Sequence, residues 1–312
     1  MHLKHLRYFL EVADSGSFTR AARQLGLAQP ALSLQIRHLE EELNAQLFHR
    51  HARGVTLTEA GEQLFACARG VVDQLDGTCA DIKAAAGAPV GQVRLGLPTT
   101  IVSGLLRPLI AATRRRYPGI EINVVEGMSG NLADQIQLGK IDVAMLFDPS
   151  MIDGLHADAV VEEDLCLIGP VNSGVMRYSA LQFADLAGLE LVLPSRDHTI
   201  RRMLDTMAAR QGIALDVRHT VDSFQGLVDL ARLDYFTVLP RFCLQREAQG
   251  NLLGAVAIIR PAITWRLYVV HPDHRVLSRA SQAIIDLIPD VCRSLVETGQ
   301  WPGRMPERDP AA

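Results

Sequence analysis

The stretch SFTRAARQLGLAQPALSLQIRHLEEEL (17–43) constrains this chain more than any other. Ser17 is a favourable helix N-cap, and Phe18, Ala21, Ala22 and Leu25 follow at helical spacing, giving one apolar face. Gly26 ends that helix, and Pro30 stands where a first helical turn tolerates proline. Leu32, Ile36, Leu39 and Leu43 form a second apolar face. Two short helices joined by a glycine-containing turn read as a helix-turn-helix, and a preceding helix over 3–13 supplies Leu6, Phe9, Leu10 and Ala13 to close a small core.

Charge is segregated along this motif. Arg20, Arg23 and Arg37 occur before Leu39 with no acid among them, and Glu40, Glu41 and Glu42 follow directly. At 100° per residue, the side of the second helix away from Leu32, Ile36 and Leu39 carries Pro30, Ser33, Leu34 and Arg37. Ser33 suits a base edge or a phosphate, Arg37 a phosphate, and Leu34 only an apolar contact such as a thymine methyl. Phosphates would repel the glutamates, but it is the N-terminal part of a recognition helix that meets bases, so the acidic half lies clear of the groove. The competing reading is an amphipathic two-helix hairpin within an ordinary core. The next segment, LFHRHARGVTLTEAG, reads as a strand (47–50), a turn at Arg53-Gly54, a strand (55–57) and a helix capped by Thr58. His49, Arg50, His51 and Arg53 crowd the hairpin tip, as in a basic wing suited to backbone contact; the competing reading is a solvated turn.

Such a local patch is needed, because the 312-residue chain carries a formal net charge of −4 and has no global attraction to polyanions. Its five cysteines form no C-x-x-C pair, which argues against zinc or a disulfide framework, and His49 and His51 stand beside arginines, which disfavours a metal. The N-terminus lacks a charge-free apolar signal segment, and no run reaches the roughly 18 apolar residues of a membrane span. We therefore expect a cytoplasmic protein with no membrane partner and no cofactor.

Residues 1–58, through LRYFLEVADSGSFTRAARQLGLAQPALSLQIRHLEEELNAQLFHR and GVTLTEAG, resemble the winged helix-turn-helix of LysR-type transcriptional regulators. The resemblance implies an α/β fold class: an N-terminal winged helix-turn-helix, a long linker helix and a two-lobed, periplasmic-binding-protein-like regulatory domain. It implies operator contact at Gln29, Pro30, Ser33, Arg37 and a wing arginine such as Arg53. Thr19, Leu34 and Arg50 complete the candidate DNA-contacting set. Position 34, often arginine or glutamine in the family, is leucine here, so no base preference carries over.

From Thr58 to about Ala86, the apolar positions Leu64, Ala68, Val71, Leu75, Cys79, Ile82 and Ala86 alternate near three and four, a coiled-coil-like seam. A lone helix of that length needs a partner. The competing reading packs it within its own chain; the resemblance implies a dimerisation helix. We expect a DNA-binding domain over 1–58, a linker helix over 59–87, a hinge at GAPVG (87–91), a regulatory domain over 88–300 and a tail over 301–312. The first lobe is expected at about 91–161 and 268–300, the second at about 162–267.

From Gln92 the pattern alternates strand and helix: QVRLGL, a helix over 103–117, IEINVV, NLADQIQLG and IDVAML read as βαβαβ, so a parallel sheet with helices on both faces. The theme recurs to the end of a second half, which predicts a cleft between two lobes. Hydroxyls precede four of the helices, where free N–H groups favour an anion: Thr99, Thr100, Ser129, Ser195, Thr199 and Ser223, with His198, Arg196 and Arg201 as charge partners. The competing reading of each hydroxyl is a simple cap. That these helix starts converge on one cleft, and that Thr99 and Thr100 meet the effector, is implied by the resemblance. Leu233 and Tyr235 replace frequent family glycines and are expected to narrow the pocket, and GQWPGRMPERDPAA is expected to fray.

No G-x-S-x-G, H-E-x-x-H, P-loop or G-x-G-x-x-G occurs, so nothing points to an enzyme. An exported solute-binding protein would leave residues 1–58 unexplained. The expected function is sequence-specific transcriptional regulation of LysR type. The expected partners are an operator duplex, RNA polymerase, a small anionic effector and further copies of the chain as a dimer of dimers. The segments LPSRDHTIRRMLDTMA, EEDLCLIGP and GQW also resemble the nitrogen-assimilation-control branch, which implies an alternative: regulation by protein abundance with no inducer.

Overall fold

The computed structural model describes residues 1–52, 54–83, 87–147, 153–245, 252–273 and 276–306, with backbone alone at 73, 80–83 and 245. Helix α1 (Leu3–Ser15) turns Leu6, Phe9, Leu10 and Val12 inward. Helix α2 (Phe18–Gln24) starts on Ser17, whose hydroxyl accepts the Arg20 N–H at 3.4 Å. Helix α3 (Gln29–Leu43) buries Leu32, Ile36 and Leu39, the expected face. Strands β1 (Phe48–His51) and β2 (Gly54–Leu57) form the antiparallel hairpin. Phe48 carries the hairpin into the small core, its ring 5.2 Å from Phe9 and 5.8 Å from Phe18. The wing is fixed to the turn before α2, since Val55 N–H donates to the Gly16 carbonyl at 3.0 Å. At Gly54 (φ +138°) a Cβ would stand 2.4 Å from that same carbonyl oxygen, so only glycine allows the approach.

Helix α4 (Glu59–Lys83) is capped by Thr58, whose Oγ1 accepts the Gly61 N–H at 3.0 Å. Phe65, Ala68 and Val72 pack onto the small core. Val71, Leu75 and Cys79 of the expected seam remain exposed, whereas Ala68 is enclosed by its own chain. The side chain of Ile82 and all of Ala86 lie outside what the structure describes.

The βαβαβ unit is formed by β3 (Gly91–Pro98), α5 (Thr99–Arg116), β4 (Ile120–Gly127), α6 (Ser129–Gln137) and β5 (Val143–Phe147), its strands parallel in the order β4-β3-β5. The complete sheet is mixed, a departure from the all-parallel expectation, because β12 (Thr264–Pro272) enters antiparallel beside β5 and β6 (Leu155–Pro170) pairs antiparallel with β12 on its other side. Strand β6 belongs to both lobes. Its first part, through Asp164, pairs with β12; its remainder pairs with β10 (Thr237–Pro240) and β11 (Leu253–Ile259). The second lobe adds β7 (Ala180–Gln182), β8 (Glu190–Leu193), α7 (Thr199–Gln211), β9 (Asp216–Thr220) and α8 (Phe224–Ala231). Helix α9 (Arg279–Glu297) returns to pack on α5 in the first lobe. One apolar cluster runs through both lobes.

The chain beyond α9 does not fray at residue 301; it is folded through residue 306. Trp301 is 2% exposed and stacks on Phe242 with ring centroids 3.9 Å apart. Its indole N–H donates to Glu163 Oε2 at 2.9 Å, while Phe242 N–H donates to Glu163 Oε1 at 2.8 Å. Arg304 forms an antiparallel bridge with Glu162, and its guanidinium reaches Glu162 and Asp164. Phe242 itself presses on α5, where a Cβ at Gly104 would fall 2.1 Å from its ring. Pro-rich, charged composition reads as disorder, yet one buried indole and one arginine facing two acids outweigh it. Burial pushes the Glu163 carboxyl up to about 7 against the opposing pull of its N–H donors.

Replacing Trp301→Ala should lower the unfolding free energy by about 3 kcal/mol, read by urea denaturation. The folded Glu163 pKa lies above the ordinary 4.5, so protonation favours the folded state. That contribution is complete below pH 4.5 and is lost as pH rises through about 7. The stability of the native chain relative to Glu163→Gln should therefore fall by on the order of 3 kcal/mol across this window. A difference that stays flat with pH would refute the assignment.

Candidate functional site

The amino-terminal half of α3 presents Gln29, Pro30, Leu34 and Arg37 to solvent and Ser33 partly so. Gln29 Nε2 donates to Ser33 Oγ at 2.8 Å, so these two polar groups are held as a pair one helical turn apart. Thr19 is exposed at the start of α2. Arg50 is exposed on β1, with its guanidinium 4.7 Å above the ring of Phe18, the neighbour of Thr19. The wing and the start of α2 are thereby brought together. Arg53 lies outside the described residues.

The glutamates have roles that periodicity did not reveal. Glu40 Oε1 accepts the Leu47 N–H at 2.8 Å, tying the end of α3 to the strand that follows. Glu42 pairs with the N-terminal ammonium, whose hydrogen bond draws its carboxyl below the usual range. Negative charge is thus gathered at the end of α3 remote from Gln29 and Ser33.

Between the lobes lies a cavity of about 210 Å³. Thr99 and Thr100 at the start of α5 and Ser129 at the start of α6 line one wall, and Ser195, His198 and Thr199 before and at the start of α7 line the other. Ser223 does not line it; its hydroxyl accepts the Gly226 N–H at 3.2 Å as the cap of α8. Ser129 Oγ accepts the Phe147 N–H at 3.1 Å, fixing the end of β5. Arg196 and Arg201 are absent from the lining: Arg201 is buried and pairs with Asp205 at 2.9 Å. Leu233 and Tyr235 do not narrow the space as expected. Leu233 is 66% exposed, and the Tyr235 hydroxyl lies 3.2 Å from His219, both outside the lining.

Two buried polar atoms here have no partner among the described residues. Thr100 is 8% exposed with its Oγ1 unpaired, and Trp265, 4% exposed, has its indole N–H unpaired; both residues line the cavity. An unsatisfied buried polar group is costly. Asp197 and Asp222 also line the cavity, and sequence reasoning passed over both, since neither precedes a helix as a cap. Asp222 Oδ1 accepts the Ser195 N–H at 2.8 Å, which holds its carboxyl below the usual range. His198 Nδ1 accepts the Ile200 N–H at 3.2 Å, and burial draws its pKa down, so the ring is neutral. No group of three or more histidines, cysteines or acids able to hold a metal occurs among the described residues, and none of their helices is long and apolar enough to cross a membrane.

Comparison with known proteins places both halves. The family described as "Bacterial regulatory helix-turn-helix protein, lysR family" matches residues 3–62, and "LysR substrate binding domain" matches residues 86–293. The chain is 32% identical over 309 residues to the nitrogen assimilation regulatory protein nac of Escherichia coli (strain K12), covering 96% of this chain and 99% of that one. It is 37% identical over 291 residues to the protein of that name from Klebsiella aerogenes, covering 92% and 94%. Its fold is similar to that of full-length OxyR from Pseudomonas aeruginosa, with a TM-score of 0.75 at 22% identity over 94% of this chain and 95% of that one. With a reading helix and wing at one end and a two-lobed domain with a cavity at the other, the chain belongs to the LysR family of DNA-binding transcriptional regulators, and it is no enzyme.

Proposed function

We propose that this regulator reads its operator through Gln29, Pro30, Ser33, Leu34 and Arg37 in the major groove. Thr19, Arg50 and Arg53 hold the flanking backbone, and a small anionic metabolite between the regulatory lobes controls the complex. The unpaired Thr100 hydroxyl, buried in a cavity between two lobes, carries the effector reading. A ligand touching both walls favours one lobe separation, and only such differential binding shifts a regulator's equilibrium. The exposed Val71, Leu75 and Cys79 on α4 support pairing with a second copy, and two such dimers would span a pair of operator half-sites. RNA polymerase is the partner at which the bound complex acts.

Arg37→Ala should weaken binding to all duplexes about equally and lower the salt slope by roughly 1, the signature of one lost phosphate contact. A changed base preference with an unaltered slope would show that Arg37 reads a base instead. Ser33→Ala and Leu34→Arg should each shift the preferred sequence, by about 1–3 kcal/mol per affected base pair. Selection from randomised duplexes that returns the native motif for both would sink the assignment. For the effector, Thr100→Val removes a buried hydroxyl that has no partner. The unliganded protein should stay as stable as the native chain or gain up to about 1 kcal/mol. At a ligand concentration 100 times its dissociation constant the native chain should gain about 2.7 kcal/mol, and Thr100→Val should gain nothing. A broad thermal-shift screen of carboxylates, amino acids and inorganic anions that moves no midpoint would refute control by a ligand.

A further inference from the structure

The two walls of the interlobe cavity differ in electrostatic sign. On the first-lobe wall, α5 and α6 begin after Pro98 and Met128, neither of which caps the helix with a side chain. Their first N–H groups and the positive ends of their dipoles therefore face the cavity region without a side-chain acceptor, and the unpaired Thr100 hydroxyl stands among them. This wall calls for an anion.

Near the second-lobe wall several backbone donors are occupied already. His198 caps α7, Ser223 caps α8, and Asp222 takes the Ser195 N–H. Among the described residues, the charged side chains in the lining are Asp197 and Asp222, with no lysine or arginine. Arg202, close enough to act on His198, is outside the lining, as are Arg196 and Arg201. The rings of Phe224 and Trp265 border the same space. A ligand carrying only negative charge would meet Asp222 and Asp197 as it reached the second lobe, and closure of the lobes would strengthen that repulsion.

We infer that the ligand is a zwitterion of the amino-acid class, with its carboxylate at the starts of α5 and α6 beside Thr100 and its ammonium at Asp222. This rests on the proposed reading of an effector bound between the lobes by its anionic group, and adds to that group a positive charge. The second charge also explains how a small guest could bind both lobes at once: each end is complementary to one wall, so only a narrowed cleft satisfies both.

The test uses the purified full-length protein. The twenty L-amino acids are screened by thermal shift beside simple mono- and dicarboxylates, and each amino acid that raises the midpoint is compared by calorimetry with its deaminated acid and its decarboxylated amine. The expected result is that at least one amino acid binds and that each singly charged analogue binds at least about tenfold more weakly. Asp222→Asn, which retains an oxygen to accept the Ser195 N–H, should lose about tenfold in affinity for the amino acid while binding the deaminated acid unchanged or more tightly. If plain carboxylates bind as well as their amino counterparts, or Asp222→Asn leaves the discrimination intact, the zwitterion inference falls and the anionic-effector reading survives. If neither set shifts the midpoint, the effector reading fails and takes this inference with it.

Discussion

At the waist of the regulatory half a carboxylate has been taken out of water. Glu163 sits where β6 leaves its pairing with β12 for β10 and β11, and its two oxygens accept N–H groups from Phe242 of the second lobe and from Trp301 of the C-terminal segment. A buried acid whose described hydrogen-bond donors are neutral is favoured in its protonated form, which is why burial prevails over hydrogen bonding in its titration. Around it, Arg266 and Arg304 neutralise Glu162, and the Phe242–Trp301 stack fills the space against α5. The lobes share one strand and one apolar cluster here, so their relative angle is set by how this waist packs. The cavity has the same foundation. Trp265, whose unpaired indole N–H borders the cavity, lies directly opposite Glu163 in the β6–β12 register.

At the other end of the chain, function depends on local charge, since the chain as a whole is acidic. The α3 helix divides its surface lengthwise. Polar, uncharged and basic groups occupy its first turns, and the glutamates are engaged at its far end by the Leu47 backbone and the N-terminal ammonium. Acidic groups held in this way contribute to the small domain's structure without facing phosphate. The hydrogen bond between Gln29 and Ser33 limits the rotamers of both, so this face of α3 is pre-organised.

Much of this architecture was legible in the chain. Helix faces such as Leu32–Ile36–Leu39, the caps at Ser17 and Thr58, the pairing of β1 with β2 and the βαβαβ run all obey local rules of period, capping and turn chemistry, which act over a few residues. Five of the six hydroxyls chosen as helix-start candidates line the cavity, because a strand-to-helix junction places its first residues at the sheet's carboxyl edge whatever else the fold does.

What the tertiary structure alone decided depends on residues distant in sequence. The return of β12 antiparallel beside β5 and the burial of Trp301 against a turn some sixty residues earlier follow no periodicity. Leu233 and Tyr235 are outside the lining of the cavity they were expected to narrow, on either side of Asp234, where φ is +70°. The sign of each cavity wall was likewise hidden. Whether a hydroxyl caps its own helix, as at Ser223, or stays open to a guest, as at Thr100, depends on where its oxygen is aimed, and that is set by packing across the whole domain. The chain's own sequence thus determined its elements and its family, through interactions between near neighbours. Packing determined which of its polar groups remain free to bind, because satisfaction of a hydrogen bond is a property of the assembled neighbourhood.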